Sequence, residues 1–208
     1  MVSPEIEYEI KILGAFPVLT EAFNRFTRGS SVIRDRSYNF DTIYLDTLDS
    51  HIESLGYSLR HRPKQYPFGD SLDLKQLNGE GRSEICIRDD KPLEQLYTEL
   101  SKHYRQTLPP IDSLIETFTT SVLRREYTAL VPIAGKHITL EGSLDRIKYV
   151  RNGRVFAEQD ELEVEIKPGF SMDLSEVFDY SKNKLTSGLD VVYTTMSKAS
   201  RARDFLRG

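Results

Sequence analysis

The chain has 208 residues and a formal net charge of −4, with 38% hydrophobic and 29% charged residues. That length suffices for one domain with a sizeable core, and the mildly acidic balance gives no footing for nucleic acid or an anionic membrane as partner. Cys86 is the single cysteine, which rules out an intrachain disulfide framework and a cysteine-based zinc site. No apolar run approaches the roughly 18 residues of a membrane span, and Met1-Val2-Ser3-Pro4 lacks the apolar stretch of a signal peptide. A soluble, cytoplasmic protein is expected.

In chain order, residues 5–13 alternate apolar and charged side chains, the period of a strand with two unlike faces. Residues 17–28 follow Pro17 and place Val18, Leu19, Ala22, Phe23 and Phe26 at helical spacing. Strands are expected at 40–46, 56–62, 71–77 and 82–88, with the loop at 63–69 and Asn78-Gly79 as hairpin connections. A helix at 91–105 has Asp89 and Asp90 before it, Pro92 near its start, and Leu93, Leu96, Leu100 and Tyr104 along one stripe. Residues 111–118 form a short helical candidate. Strands follow at 121–131, 137–150 and 154–167, with a turn at Asn152-Gly153, and helices at 173–185 and 196–206 close the chain. No linker or tandem repeat divides it. The expected architecture is α+β: one domain over 1–208, an antiparallel sheet closed on itself, and helices outside.

Two strands carry an unusual charge pattern. Glu5-Ile6-Glu7-Tyr8-Glu9-Ile10-Lys11 and Glu161-Leu162-Glu163-Val164-Glu165-Ile166-Lys167 each set three glutamates and a lysine on one face. Same-face neighbours on a strand lie roughly 6.5–7 Å apart, so the carboxylates repel unless something positive compensates them. Basic strands stand between: Leu59-Arg60-His61-Arg62, Asp73-Leu74-Lys75, Arg82-Ser83-Glu84-Ile85-Cys86-Ile87-Arg88, Leu123-Arg124-Arg125-Glu126-Tyr127, Leu144-Asp145-Arg146 and Ser197-Lys198. Arginine forks bind phosphate oxygens bidentately and lysines add point charge. Carboxylates beside them make sense as ligands of Mg²⁺ or Mn²⁺, hard cations that bridge to phosphates. A barrel lined with both sets is a polyphosphate site. The four histidines show no ligand spacing, and Gly79 and Gly81 lack the context of a phosphate loop.

These motifs, in this order, resemble the CYTH / triphosphate tunnel metalloenzyme superfamily of class IV adenylyl cyclases, thiamine triphosphatases and inorganic triphosphatases. The resemblance runs through Glu7-Tyr8-Glu9-Ile10-Lys11, Tyr44-Leu45-Asp46-Thr47, Leu59 to Arg62, Leu72 to Lys75, Arg82 onward, Leu144 to Arg146, Glu161 to Glu165 and Ser197-Lys198. It implies an eight-stranded antiparallel barrel whose polar bore binds a triphosphate with divalent metal, Mg²⁺ or Mn²⁺. By motif position Glu7, Glu9, Glu161, Glu163 and Glu165 are the metal ligands, with Glu161 the weaker candidate or an orienting group. Lys11, Arg60, Arg62, Lys75, Arg125, Arg146 and Lys198 hold phosphates, while Glu84 and Asp145 orient basic side chains or water. Glu7, Glu9, Lys11 and Lys75 are the candidates for catalysis, with Glu7 or Glu9 as general base. The sequence departs from the family pattern at Leu123, where a lysine is usual before Arg125, and at Cys86, where a further acid is common. Arg124 would replace that lysine only through a register shift or bulge.

Hydrolysis of inorganic triphosphate asks only for metal and basic groups, both present. A class IV cyclase also needs an adenine pocket, for which no local signature stands out. A thiamine triphosphatase would want an aromatic clamp such as Tyr66 and Phe68, and a non-catalytic polyphosphate or nucleotide sensor would keep the fold without turnover. The expected partner is a small triphosphate or nucleotide, and a homodimer is an expectation by family analogy.

Overall fold

The computed structural model describes residues 5–65, 69–77, 81–104, 107–133, 136–166 and 174–207. The order is β1 (Glu5–Leu13), α1 (Phe16–Phe26), β2 (Ser31–Asp46), α2 (His51–Ser54), β3 (Tyr57–Gln65), β4 (Gly69–Gln76), β5 (Gly81–Asp89), α3 (Leu93–His103), β6 (Ile115–Ile133), β7 (Lys136–Arg151), β8 (Arg154–Ile166), α4 (Leu174–Thr186), β9 (Val192–Thr194) and α5 (Lys198–Arg207). All strand pairs are antiparallel, in the order β5-β4-β3-β2-β6-β7-β8-β1-β9. The first half of β1 also pairs with β5, Glu5 opposite Glu84 and Tyr8 opposite Gly81. The run of eight strands therefore returns to its start, and β9 adds a ninth on the second half of β1.

The outer faces of the strands carry two apolar cores. Leu19, Ala22, Phe23 and Phe26 of α1 join Val177, Phe178 and Leu185 of α4 over Ile10, Ile12, Leu162, Val164 and Leu144. Full burial of such side chains is worth roughly 1.5–3 kcal/mol each, which holds β1, β7 and β8 to one curved wall. Leu96, Tyr97 and Leu100 of α3 do the same over Leu59, Leu72, Leu74, Ile85 and Ile87. A third core lies on the other face of the sheet, where Ala199 and Ala202 of α5 pack with Tyr44, Phe118, Val122, Ile147 and Tyr149. One end of the bore is thus filled by apolar side chains and the other part is left to polar ones.

Asp46 ties β2 to the turn that follows it by accepting the N–H groups of Thr47, Ile52 and Glu53 at 2.8, 2.8 and 3.1 Å. The expected turn at Asn152-Gly153 forms with both residues at positive φ, 52° and 72°, as a two-residue hairpin of this sequence requires. Asn78-Gly79 and Lys167 lie outside the described residues. The helical candidate at 111–118 is corrected: only Ile111–Ser113 form a single 3₁₀ turn, and β6 begins at Ile115. Thr117, Phe118, Thr119 and Thr120 are strand formers, and Phe118 and Thr120 alternate into the interior. The strand expected from residue 40 begins at Ser31, because its first half, with Arg34, Asp35 and Arg36, lacks the apolar alternation that marks a strand.

Gly142 shows why the α1 wall can approach so closely. A Cβ there would stand 2.5 Å from Phe23 Cε2, and Phe23 is locked in the core against Tyr127 with ring centroids 4.4 Å apart. Gly142→Ala is expected to destabilise the protein by about 1–3 kcal/mol through overpacking. Urea unfolding would measure it, and an unchanged midpoint would contradict this packing.

Candidate functional site

Alternation decides which side chains reach the bore. On β8, Leu162, Val164 and Ile166 face the α1–α4 core, so Glu161, Glu163 and Glu165 take the inner face. On β1 the buried Ile10 and Ile12 turn Glu9 and Lys11 inward. Glu7 stands two residues before Glu9, in backbone register with Arg82. Glu9 lies opposite Glu165, and Glu165 opposite Glu141 of β7, so three carboxylates share one cross-strand row facing the bore. In the next row Lys11 lies opposite Glu163. The bore is also lined by Arg60 and Arg62 of β3, Lys75 of β4, and Glu84 and Arg88 of β5, with Lys75 Nζ 3.7 Å from Glu9.

The charges interlock. Lys11 Nζ lies 2.5 Å from Glu9 and 3.1 Å from Glu163. Arg60 reaches Glu84 at 2.9 Å, Lys75 reaches Glu84 at 3.2 Å, and Arg62 reaches Asp73 at 2.6 Å. Arg124 makes a bidentate pair with the fully buried Asp145, Nε to Oδ1 at 2.7 Å and Nη2 to Oδ2 at 2.6 Å. Lys198, at the start of α5, lies 3.3 Å from Asp145 and 3.4 Å from Glu163, and it also binds Glu161, whose other oxygen takes Arg201.

Each pKa shift follows from these pairs. Burial alone would raise Glu84, but Arg60, Lys75 and Arg62 overcome it and hold the carboxyl far below the usual range. Burial likewise pushes Glu161 up, and Arg201 with Lys198 outweighs it, so Glu161 stays ionised. Lys198 is driven the other way: burial favours its neutral form, yet Glu161, Glu163 and Asp145 raise it well above a free lysine. Cys86, half-buried beside Asp73, is pushed up to about 12, first by burial and then by the Asp73 charge, so it remains a thiol.

The structure brings Glu9, Lys11, Arg60, Arg62, Lys75, Glu84, Glu163, Glu165 and Lys198 together in the bore, with Asp145 and Glu161 directly behind. It does not bring Arg125 and Arg146 there. Arg125 pairs on the outer face with Asp35 at 2.8 Å, and its side chain is 47% exposed. Arg146 also lies outside, over the Phe16 ring at 4.1 Å and 55% exposed. The physical reason is the two-residue period: Asp145 and Arg146 are neighbours, so one faces in and the other out. Arg124 faces inward in an unbroken β6–β7 register, without the bulge that the motif spacing called for. The signal was available further along β6, where Tyr127, Ala129, Val131 and Ile133 claim the outer face for α1 and leave Arg124 and Glu126 for the bore.

Glu126, Arg88, Asp73 and Arg201, which stand in the charged segments of the sequence without an assigned role, also belong to the site, as does Glu141. Asp73, directly opposite Cys86 on the ladder, places a carboxylate next to the position where the family pattern has an acid. Tyr66 and Phe68 lie outside the described residues. As expected from alternation, His61 turns away from its arginine neighbours, toward Asp70 at 3.7 Å.

The donor set fits a hard divalent cation. Glu9, Glu165 and Glu141 line one cross-strand row with the oxygen donors such ions take, although their ligand atoms do not all converge within 4.8 Å and Glu9 is held by Lys11 at 2.5 Å. The bore's lysines and arginines are nearly matched by its carboxylates. Asp145, Glu161 and Glu163 also place ligand atoms within 4.8 Å of one another, but Arg124, Lys198 and Arg201 engage the first two closely.

No protein-family model and no curated protein matches the sequence. Solved structures do. A proposed adenylate cyclase from Bacillus halodurans is 19% identical at a TM-score of 0.57, covering 95% of this chain and 97% of that one. A Pyrococcus horikoshii protein is 15% identical at 0.58, covering 95% and 98%. A proposed adenylyl cyclase from Hippeastrum, described as having a dominant triphosphatase activity, is 18% identical at 0.57, covering 95% of both chains. At these identities the likeness establishes the fold: this chain has the CYTH / triphosphate tunnel fold.

The pairing of Glu84 sets a pH dependence. Its pKa is depressed on folding, so its stabilisation is complete above the unfolded value of about 4.3 and is lost as pH falls toward the folded value. The stability difference between wild type and Glu84→Gln in urea unfolding is expected to be largest near neutrality and to shrink steadily below about pH 4.3. A difference that stays constant with pH would contradict these ion pairs.

Proposed function

We propose that the protein is a divalent-cation-dependent hydrolase of triphosphate compounds, with inorganic triphosphate as the minimal substrate. The observation that carries this reading is the mixed lining of the bore, where Arg60, Arg62, Lys75, Arg124 and Lys198 converge among Glu9, Glu141, Glu163 and Glu165. Guanidinium and ammonium groups bind and orient the phosphoryl oxygens, and they neutralise the charge that phosphoryl transfer spreads over those oxygens. Glu84 and Asp145 hold these cations in place. Glu9, Glu141, Glu163 and Glu165 would hold the metal, with Glu7 joining them by strand position, and Glu161 would orient Lys198. A bound Mg²⁺ or Mn²⁺ supplies Lewis-acid neutralisation of phosphoryl oxygens. Glu9 is the proposed general base toward the attacking water, and Lys11 lies between it and Glu163. No protein nucleophile is required, and among the described residues no histidine lines the bore.

A class IV adenylyl cyclase is the second reading, favoured by the descriptions of the Bacillus and Hippeastrum structures. The dominant triphosphatase activity of the Hippeastrum protein favours hydrolysis over cyclisation. No described helix is long and apolar enough to cross a membrane.

The test is phosphate release from tripolyphosphate and ATP with Mg²⁺, Mn²⁺ or chelator, with cyclic AMP assayed in the ATP reactions. Metal-dependent release is expected. Arg124→Gln should lower kcat/KM by about a hundredfold, as for loss of one preorganised charge donor, and Arg125→Gln should stay within about twofold, as for an exposed pair. Cyclic AMP formation would establish the cyclase, metal-dependent thermal stabilisation without turnover the sensor. Equal effects at Arg124 and Arg125 would refute the inward assignment.

A further inference from the structure

Arg60 and Arg62 project from one face of β3, two residues apart, into the same bore. Their like charges repel and their side chains are long, so some other group must set their direction. Directly across the ladder from Arg60 stands Asp73 of β4, whose side chain has no exposed surface. Asp73 Oδ2 accepts from Arg62 Nη1 at 2.6 Å and from Arg60 Nη2 at 3.4 Å. Arg62 is braced from a second side, donating through Nε to Thr42 Oγ1 at 3.2 Å. Arg60 is braced by Glu84 at 2.9 Å. Glu84 itself lines the bore, whereas Asp73 is sealed behind the two arginines.

Asp73, Glu84 and Cys86 place possible ligand atoms within 4.8 Å of one another, yet this group does not read as a cation site. Arg60, Arg62 and Lys75 already bind its two carboxylates, and the thiol is protonated.

We propose that Asp73 is a positioning residue of the phosphate site: its buried carboxylate fixes the Arg60 and Arg62 forks as one clamp for adjacent phosphoryl groups. The inference rests on the reading of the bore as a triphosphate site. One negative charge shared by two guanidinium groups leaves the pair with a net positive charge toward the ligand. Sealed from the bore, Asp73 cannot be displaced by the ligand and keeps the clamp in place when Glu84 yields to a phosphoryl oxygen. Ordering two long side chains beforehand lowers the entropic cost of binding.

Asp73→Asn removes the charge and keeps the volume. KM for tripolyphosphate should rise about tenfold, the scale of one charge-assisted hydrogen bond, with kcat within about twofold. Asp73→Glu should recover part of that affinity; if the asparagine variant fails to fold, this one decides, a raised KM at unchanged kcat supporting the proposal and a wild-type KM overturning it. Combined with Arg62→Gln, Asp73→Asn should add less than its separate effect, because both break the same contact. In ligand-free protein, the ¹⁵N resonances of the Arg60 and Arg62 guanidinium groups should show hindered rotation in wild type and averaging in Asp73→Asn. Unchanged resonances, or full multiplication of the two variants' effects, would overturn the proposal. Absence of both turnover and thermal stabilisation by tripolyphosphate in wild type would overturn the reading of the bore instead, while the resonances still decide the role of Asp73.

Discussion

The structure depends on one constraint: charges lining a confined bore must neutralise each other before any ligand arrives. A buried charge left without its partner costs about 3–5 kcal/mol, more than most single contacts contribute. Lys11, Arg60, Arg62, Lys75, Arg124 and Lys198 accordingly each sit against a carboxylate. The most buried acids, Asp73, Asp145 and Glu161, touch two cations each. The pairings run across strands as well as along them, so they also fix register. A one-residue slip of β8 would turn Glu161, Glu163 and Glu165 into the α1–α4 core and Leu162 and Val164 into the bore.

The apolar cores supply what the charges cannot. Ion pairs with a large desolvation cost contribute little net stability, so the wall is held by α1 and α4 on one side and α3 on the other. The α5 helix couples the two kinds of interaction. Ala199 and Ala202 pack into the interior core while Lys198 and Arg201, on the same helix, grip Glu161. The helix that fills the end of the bore therefore also sets the direction of a bore lysine, and folding of that end builds part of the site.

Much of this was legible because period-two alternation is a local property. The glutamates of β8, the Arg60–Arg62 pair and Lys75 could be placed on a common face from spacing alone. The failures arose where a face had to be assigned over a longer stretch. Arg125 and Arg146 matched a motif, but motif spacing cannot say which neighbour of Arg124 or Asp145 faces inward. That depends on which face α1 covers, a tertiary fact recorded in Tyr127, Ala129, Val131 and Ile133. Asp73 and Glu141 were missed for another reason. Neither stands out on its strand, where Asp70 and Asp145 are also acidic, and its meaning comes only from the residues opposite it, Arg60 and Cys86 for one and Glu165 for the other. Cross-strand neighbours lie far apart in sequence, so no local pattern reveals them.

The balanced bore also bears on how the proposed ligands would act together. A triphosphate can use Arg60, Lys75 or Lys198 only by competing with Glu84, Glu161 and Glu163, which hold them in the free protein. Every carboxylate that loses a cation to a phosphoryl oxygen is left with uncompensated charge in the bore. A divalent cation held by the bore's glutamates would offset that charge, so triphosphate and metal would each strengthen binding of the other, by the same factor in either direction. An excess of fixed positive charge would bind phosphate without metal and would also hold the product. Near neutrality would make affinity conditional on the cation, and the buried carboxylates Asp73 and Asp145 would keep the arginines aimed throughout the exchange.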